Sequence, residues 1–200
     1  MITVPSLVLV TDRRATDGRD LITVVTAALD AGLPAVQLRD KDLPGRQLFV
    51  LAEQLRKATA RTGALLFVND RIDVALAMGA DGVHLGGTSV PAAVARTLVG
   101  PAGLIGVSTH TADELRALLV ADFAFFGPVY STPGKTAVGL AALTHAVVAA
   151  TVPVLAIGGI TAHVVPAVQK TGAHGVAVIR AILAAPDPAA ATRELVRALV

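Results

Sequence analysis

Short apolar runs rich in β-branched residues alternate with longer amphipathic segments along the chain. Each run is too short for a helix and too continuous for a half-exposed strand, which is typical of strands buried on both faces. The eight predicted strands are Leu7–Val10, Ala35–Leu38, Leu65–Val68, Gly82–His84, Leu104–Val107, Phe123–Phe126, Val154–Ile157 and Gly175–Val178.

The segments between these runs have helical periodicity. The predicted helices are Asp20–Ala31, Gly45–Thr62, Arg71–Met78, Pro91–Val99, Ala112–Ala121, Leu140–Ala150, Ala162–Thr171 and Ala189–Leu199. Because parallel strands need a connection of helix length, the alternation predicts the α/β class and a single (β/α)8 barrel, a TIM barrel, over residues 1–200. The alternative is an open doubly wound sheet, but no strand is followed by a complete G-x-G-x-x-G turn.

Composition narrows the class of protein. Hydrophobic residues make up 54% and aromatic residues 3%, which suits buried strands under Ala-rich helices and argues against disorder. No apolar run is long enough to span a bilayer and the N-terminus lacks a signal-peptide pattern, so we expect a cytoplasmic protein without a membrane partner. A net charge of +2 without a basic block argues against nucleic-acid binding. The absence of cysteine excludes disulfides and a cysteine nucleophile.

Polar residues concentrate directly after the predicted strands, where barrels of this kind carry their chemistry. Gly158-Gly159 follows the seventh strand and opens a predicted helix. Two glycines let backbone N–H groups approach an anion, so we interpret this turn as a phosphate site rather than a plain tight turn. Gly175 in the next unit favours the same interpretation.

Gln37, Arg39 and Lys41 share one face at the end of the second strand. Gln37 is expected to point into the barrel mouth, with the two cations at its rim, where they would bind a dianionic ligand. The alternative is a surface cluster in which Asp40 and Asp42 neutralise the cations.

Asn69-Asp70 ends the third strand, and Asp70 suits either of two roles equally. It could bind Mg²⁺, which takes one or two protein carboxylates together with substrate oxygens. It could instead cap the following helix.

His110 follows the fifth strand beside Ser108, and we predict that it transfers protons. The alternative is a solvent-facing histidine next to a capping Thr109 or Thr111. His84 is interpreted as a packed residue with a satisfied hydrogen bond, and no role is assigned to three further histidines, His145, His163 and His174.

The loop Gly127–Gly139 is the longest between a strand and its helix, with Lys135 near its tip. A lid that closes over a phosphate is the functional interpretation. A disordered surface loop is the alternative.

The motifs after these strands occur in a fixed order along nearly the whole chain. They are Gln37-x-Arg39-x-Lys41, Asn69-Asp70-Arg71-x-Asp73, Ala80-Asp81-Gly82-Val83-His84-Leu85-Gly86, Gly106-Val107-Ser108-x-His110, Gly127-Pro128-Val129-Tyr130-x-Thr132-x-x-Lys135, Ala156-Ile157-Gly158-Gly159-Ile160 and Gly175-Val176-Ala177-Val178-Ile179. Together they resemble the thiamine phosphate synthase/TenI superfamily.

The resemblance implies one of two activities. Thiamine phosphate synthase joins hydroxymethylpyrimidine diphosphate to thiazole phosphate, with Mg²⁺ on the leaving diphosphate. TenI proteins aromatise a thiazole carboxylate phosphate tautomer by proton transfer without a metal. The residues that the resemblance implies for substrate and phosphate are Gln37, Arg39, Lys41, Asn69, Ser108, Thr132, Lys135, Gly158, Gly159, Ile179 and Arg180, with His110 as the TenI acid/base and Asp70 as a metal ligand only in a synthase.

Three departures from the synthase pattern decide the preferred hypothesis. Where the synthase usually reads Gly-Gln-x-Asp, with that Asp as second metal ligand, this chain reads Gly86-Gly87-Thr88-Ser89. The lid reads Thr132-Pro133-Gly134-Lys135 instead of Thr-x-Thr-Lys, and the last motif ends Ile179-Arg180 instead of Ile-Ser. A serine at the metal position removes a full negative charge, whereas proton transfer needs no metal.

The leading hypothesis is therefore a TenI-like thiazole tautomerase without a cofactor, in which Arg39 or Arg180 pairs with the substrate carboxylate. The alternatives are a Mg²⁺-dependent synthase with Asp70 as its only carboxylate ligand and a non-catalytic binding or regulatory protein. A homo-oligomer is expected only from the family.

Overall fold

Eight parallel strands close into a barrel in sequence order in the computed structural model, which describes residues 3–200. Met1 and Ile2, with which the predicted domain begins, lie outside the described residues. The strands are β1 Leu7–Val10, β2 Ala35–Leu38, β3 Leu65–Asn69, β4 Gly82–Leu85, β5 Leu104–Thr109, β6 Phe123–Phe126, β7 Val154–Ile157 and β8 Gly175–Val178. The predicted (β/α)8 barrel is confirmed.

Helices connect the strands and cover the barrel. They are α1 Leu21–Asp30, α2 Gly45–Thr62, α3 Ile72–Ala77, α4 Ala92–Val99, α5 Ala112–Arg116, α6 Gly139–Ala149, α7 Val165–Gln169, α8 Arg180–Leu183 and α9 Pro188–Leu199. None of the helices within residues 3–200 is long and apolar enough to cross a membrane.

The continuous apolar runs form strands because both of their faces are buried. One set of side chains fills the barrel interior: Val8, Val10, Ala35, Phe67, Leu104, Phe123, Phe125, Leu155 and Ala177. The alternate side chains pack outward against the helices in a second, larger cluster. This two-layer arrangement holds the carboxyl ends of all the strands at one rim.

Three helical segments differ from the prediction. The fifth helix ends at Arg116, not Ala121, and Leu118 N–H bonds the Leu115 carbonyl 3.1 Å away in a tighter final turn. The seventh begins with a 3₁₀ turn at Ala162–Val164, because Pro166 has no N–H for a continuous helix. The short α8, with its N-cap at Ile179, is absent from the periodicity analysis because four residues are too few to show a period.

Candidate functional site

A cavity of about 740 Å³ opens at the carboxyl ends of the strands. The loops after different strands contribute to it, because the barrel brings all of these strand ends together. The sequence-predicted residues that line it are Gln37, Arg39, Lys41, Asn69, Ser108, His110, Thr132, Lys135, Gly158, Gly159, Ile179 and Arg180.

Arg39 and Lys41 at the rim have no carboxylate partner among residues 3–200. The neighbouring Asp40 and Asp42 instead accept hydrogen bonds from two arginines after β1, Arg13 and Arg14 respectively. The predicted alternative of a self-neutralised surface cluster is therefore wrong. Two cations are left available at the mouth for an anionic ligand.

The arginines after β1 were missed by the sequence analysis. Arg14 lines the cavity, and both Arg13 and Arg14 occupy the carboxylates that would otherwise neutralise the rim cations. The only sequence signal is the polar stretch that follows the first apolar run. Its partners lie 27 and 28 residues away, so the pairing is set by the adjacency of β1 and β2.

A chain of hydrogen bonds links β2 to the end of β3. Gln37 Nε2 donates to Asn69 Oδ1 at 2.9 Å, and Asn69 Nδ2 donates to Asp70 Oδ2 at 2.6 Å. Gln37 is only 2% exposed, and its Oε1 atom has no partner within the described part of the chain. A buried amide oxygen without a partner costs free energy, so Gln37 Oε1 is an acceptor available to a ligand in the mouth.

Asp70 does not cap the helix that follows it. The N-cap of α3 is Arg71, which makes no side-chain capping bond, so the capping alternative is wrong. Asp70 has a left-handed backbone with φ of +60°, and its Oδ1 accepts hydrogen bonds from Gly86 N–H at 3.3 Å and from the Ser89 hydroxyl. Asp70 itself does not line the cavity, but its carboxylate contacts Asn69 and Gly86, which do.

The donor set around Asp70 fits a Mg²⁺ ion only when a ligand supplies further oxygens. One carboxylate, with the Ser89 hydroxyl beside it, is within the range for Mg²⁺, which keeps waters and phosphate oxygens as its other ligands. Residues 3–200 contain no group of three or more Asp, Glu, His or Cys side chains that could hold a metal by themselves. Asp70 and Ser89 are the residues that would contact a metal–phosphate complex.

His84 lies on β4, 1% exposed, against the ring of Phe125 at a centroid distance of 4.2 Å. Burial, and secondarily Arg39, lower its pKa to about 3, although the carboxylate of Asp70 opposes this. Its Nε2 lies 2.9 Å from Ser108 Oγ, while Nδ1 has no partner among residues 3–200. The predicted packed histidine is thus only half satisfied, and it contacts a residue of the cavity wall.

His110 sits at the rim with an exposed ring edge. Its Nδ1 lies 2.6 Å from the Gly127 carbonyl oxygen. Because a carbonyl oxygen can only accept, Nδ1 carries the proton of this hydrogen bond. Thr111 caps α5 through a capping box with Glu114, as the alternative interpretation of this segment expected. The ring nonetheless lines the cavity instead of pointing away from it.

Gly158 and Gly159 form a turn that no other residue fits. Both have positive φ, +98° and +65°, and a Cβ would lie 2.4 Å from Pro128 Cβ at the first position and 2.6 Å from Tyr130 Cβ at the second. The amide groups of Gly159 and Arg180 have no hydrogen-bond acceptor within the described residues. Both line the cavity, so they are donors available to a phosphate.

The loop that carries Lys135 is ordered. Thr132 and Lys135 exchange backbone hydrogen bonds of 3.3 and 3.0 Å around Gly134. Val138 N–H and Gly139 N–H bond the carbonyls of Pro128 and Val129 at 2.8 and 3.1 Å. These bonds tie the loop to its own ends, while the closing motion of a lid stays a prediction.

Comparison with known proteins shows extended similarity. The chain is 47% identical to the thiamine-phosphate synthase of Roseiflexus castenholzii over 93% of this chain and 84% of that protein. It is 49% identical to the thiamine-phosphate synthase of Gloeobacter violaceus over 86% of this chain and 52% of that protein. The structure of thiamine phosphate pyrophosphorylase from Pyrococcus furiosus superposes with a TM-score of 0.89 at 38% identity, covering 97% of this chain and 95% of that one.

These relatives overturn the preferred hypothesis of a thiazole tautomerase. Their names are those of synthases, which are transferases, although the chain lacks the carboxylate expected at Ser89. The three departures were given too much weight, because one carboxylate is within the range that Mg²⁺ accepts when phosphates complete its shell. The expectation of no cofactor loses its support with the tautomerase, while the role of His110 stays a prediction.

The family model described as thiamine monophosphate synthase matches residues 7–182. This range includes β1 to β8 and every loop that lines the cavity. The agreement of sequence, fold and cavity-lining residues extends over nearly the whole chain. The chain therefore belongs to the thiamine monophosphate synthase family.

Proposed function

We propose that this protein catalyses the thiamine-phosphate synthase reaction, joining hydroxymethylpyrimidine diphosphate to thiazole phosphate. A bond forms between the thiazole ring nitrogen and the exocyclic methylene carbon of the pyrimidine. The bond from that carbon to the diphosphate oxygen breaks, and its electron pair leaves with the diphosphate. Such a reaction needs two separate anion sites in one cavity.

The observation that carries the proposal is the presence of two sets of anion-binding groups around one mouth. Arg39 and Lys41, with their carboxylate neighbours occupied by Arg13 and Arg14, suit the diphosphate. The free amides of Gly159 and Arg180, on the other side of β1, suit the single phosphate of the thiazole. A reaction with one phosphorylated substrate would leave one of these sets unused.

Asp70 and Ser89 would hold Mg²⁺ together with oxygens of the diphosphate. The ion would supply positive charge to the diphosphate as it leaves. The rim cations act in the same direction, because they stabilise the charge that develops on the leaving oxygen. Gln37 Oε1 is available to bind a donor on the pyrimidine and to orient it.

The test is an assay of the purified protein with both precursors and Mg²⁺, which reads thiamine phosphate and released diphosphate together. We expect both products in equal amounts. Asp70→Asn should lower the rate by about a hundredfold, because it removes the carboxylate that would hold Mg²⁺ at the diphosphate. Asp73→Asn is the matched control, since Asp73 is exposed and pairs with Arg71 outside the cavity. No thiamine phosphate with either Mg²⁺ or Mn²⁺ would rule the proposal out and would favour a non-catalytic binding protein.

A further inference from the structure

His84 and Ser108 form a pair that joins the barrel interior to the cavity. The His84 ring lies between β4 and the rings of Phe123 and Phe125, with centroid distances of 5.9 and 4.2 Å. Its Nε2 reaches Ser108 Oγ at 2.9 Å, and Ser108 lines the cavity. His84 lines the cavity as well, so the pair forms part of its inner wall.

The space around Nδ1 is closed by Gly106. A Cβ at position 106 would lie 2.5 Å from Nδ1 and 2.3 Å from the Phe123 ring, so only glycine admits the histidine in this position. Nδ1 is buried and has no hydrogen-bond partner within the described residues.

The surroundings decide which nitrogen carries the proton. A neutral imidazole has one N–H and one acceptor nitrogen. If Nδ1 carried the proton, a buried N–H would have no acceptor, and unpaired buried N–H groups are rarer than unpaired acceptors. With the proton on Nε2, the N–H donates to Ser108 Oγ, and the serine keeps its own hydrogen for another acceptor.

We infer that His84 is a positioning residue that donates from Nε2 to Ser108 Oγ and so directs the Ser108 O–H into the cavity as a donor to an anionic oxygen of the substrate. This inference rests on the proposed function only in that the diphosphate is the expected anion. If the Ser108 hydroxyl donated its hydrogen to His84, it would present lone pairs to the anion and repel it. The pair therefore determines the polarity of one wall of the mouth.

Nuclear magnetic resonance of the ¹⁵N-labelled protein tests the tautomer without any turnover. At neutral pH we expect His84 to show a bare Nδ1 and a protonated Nε2, with the signal assigned by its absence from His84→Gln. A protonated Nδ1 beside a bare Nε2 would overturn the inference. This result is independent of whether the protein makes thiamine phosphate.

Calorimetric titration with inorganic diphosphate and Mg²⁺ tests the coupling to the anion. We expect His84→Leu and Ser108→Ala each to weaken binding by about tenfold, since each removes one directed hydrogen bond to a charged group. The double variant should lose no more than either single variant, because both act through one hydroxyl. His84→Gln, whose amide N–H₂ can replace Nε2–H, should retain the affinity within about threefold.

His145→Leu, on the exposed face of α6, is the matched control and should bind as the unchanged protein does. Additive losses in the double variant, or unchanged affinity in a folded His84→Leu, would overturn the inference. Diphosphate binding with the expected coupling but no thiamine phosphate would refute the proposed function and leave the role of His84 standing. Circular dichroism identifies a variant that fails to fold. In that case the diphosphate affinity of His84→Gln and the tautomer of His84 in the unchanged protein test the inference.

Discussion

Asp70 combines an uncommon backbone conformation with a direct contact to the loop after β4. Its φ of +60° is in the region that Asp tolerates better than most residues, and such conformations cluster at functional sites. The conformation takes the carboxylate away from α3 and brings it to Ser89. Two positions that lie 19 residues apart are thus in direct contact, and Ser89 is a place where a second carboxylate would meet Asp70.

Ser89→Asp should therefore create a stronger metal site. We expect binding of Mn²⁺, as a probe for Mg²⁺, to tighten by about tenfold without substrate, because two carboxylates replace one. The melting temperature should fall without metal, since the carboxylates repel each other, and recover when metal is added. Spin-resonance titration and thermal melts measure both effects. Thr88→Asp, next to it and exposed, is the control, and an equal gain there would contradict the assignment.

The buried His84 predicts how stability depends on pH. Its pKa is about 3 in the folded protein, below the ordinary value of 6.5, so between these values the unfolded chain binds a proton that the folded protein does not. Stability is therefore intact above pH 6.5 and falls as the pH decreases, by up to about 1.4 kcal/mol per pH unit. Between pH 6.5 and 5, the free energy of unfolding measured in urea should change less with pH in His84→Gln than in the unchanged protein. If His145→Gln flattens the dependence equally, burial of His84 is not its cause.

The turn after β7 shows how one element depends on another. Tyr130 N–H bonds the Gly158 carbonyl at 3.0 Å, and Val129 N–H bonds the Ile157 carbonyl at 2.9 Å. The loops after β6 and β7 are therefore packed backbone to backbone. This close approach positions the free amide of Gly159 and requires glycine for reasons of space as well as of φ.

Gly159→Ala should reduce both stability and substrate binding. The new Cβ would meet Tyr130 Cβ at 2.6 Å, and we expect a loss of about 1–3 kcal/mol in the free energy of unfolding. The KM for thiazole phosphate should rise, because the amide moves. Gly63→Ala is the control: Gly63 has a φ of +74° at the C-cap of α2 and no atom within 4 Å of a built Cβ. It should lose about 1 kcal/mol and leave KM unchanged, and a KM effect there would argue against the contact as the cause.

The whole molecule divides its charges between the two ends of the barrel. At the amino end, Asp81 and Asp122 each accept a hydrogen bond from a strand N–H, both at 2.7 Å, and pair with Arg56 and Arg96. At the carboxyl end, the rim cations have no carboxylate partner within the described residues. The charges named at the amino end are thus all paired, whereas the carboxyl end combines the Arg13–Asp40 and Arg14–Asp42 pairs with cations that remain for ligands.

Variants at the two ends should therefore affect different quantities, the free energy of unfolding at the amino end and KM at the carboxyl end. Asp122→Ala should lower the free energy of unfolding by about 1–3 kcal/mol with little change in KM, because the buried Ile105 N–H loses its acceptor. Lys41→Met should raise the KM for the pyrimidine diphosphate by about tenfold with unchanged stability, because an exposed cation contributes little to folding. Denaturant unfolding and steady-state kinetics on the same preparations measure both. A large loss of stability in Lys41→Met would contradict this division.

Sequence periodicity was sufficient for the architecture, because strands buried on both faces carry continuous apolar runs that no helix or half-exposed strand shares. All eight strands, and the bounds of α2, agree with the structure within a few residues. The polar residues after the strands also identified twelve of the residues that line the cavity, since a barrel places every strand end at one rim.

The contacts between loops far apart in sequence depended on the tertiary structure. Arg13 and Arg14 neutralise Asp40 and Asp42 because β1 lies next to β2, and no local pattern records that pairing. The choice for Asp70 between a helix cap and a contact with the loop after β4 depended on one backbone angle, because a capping residue is usually extended whereas Asp70 is left-handed. The half-satisfied state of His84 depended on the space left by Gly106 on the neighbouring strand. Sequence thus determined the fold through local periodicity, whereas the charges and protons of the site depend on neighbours that only the closed barrel brings together.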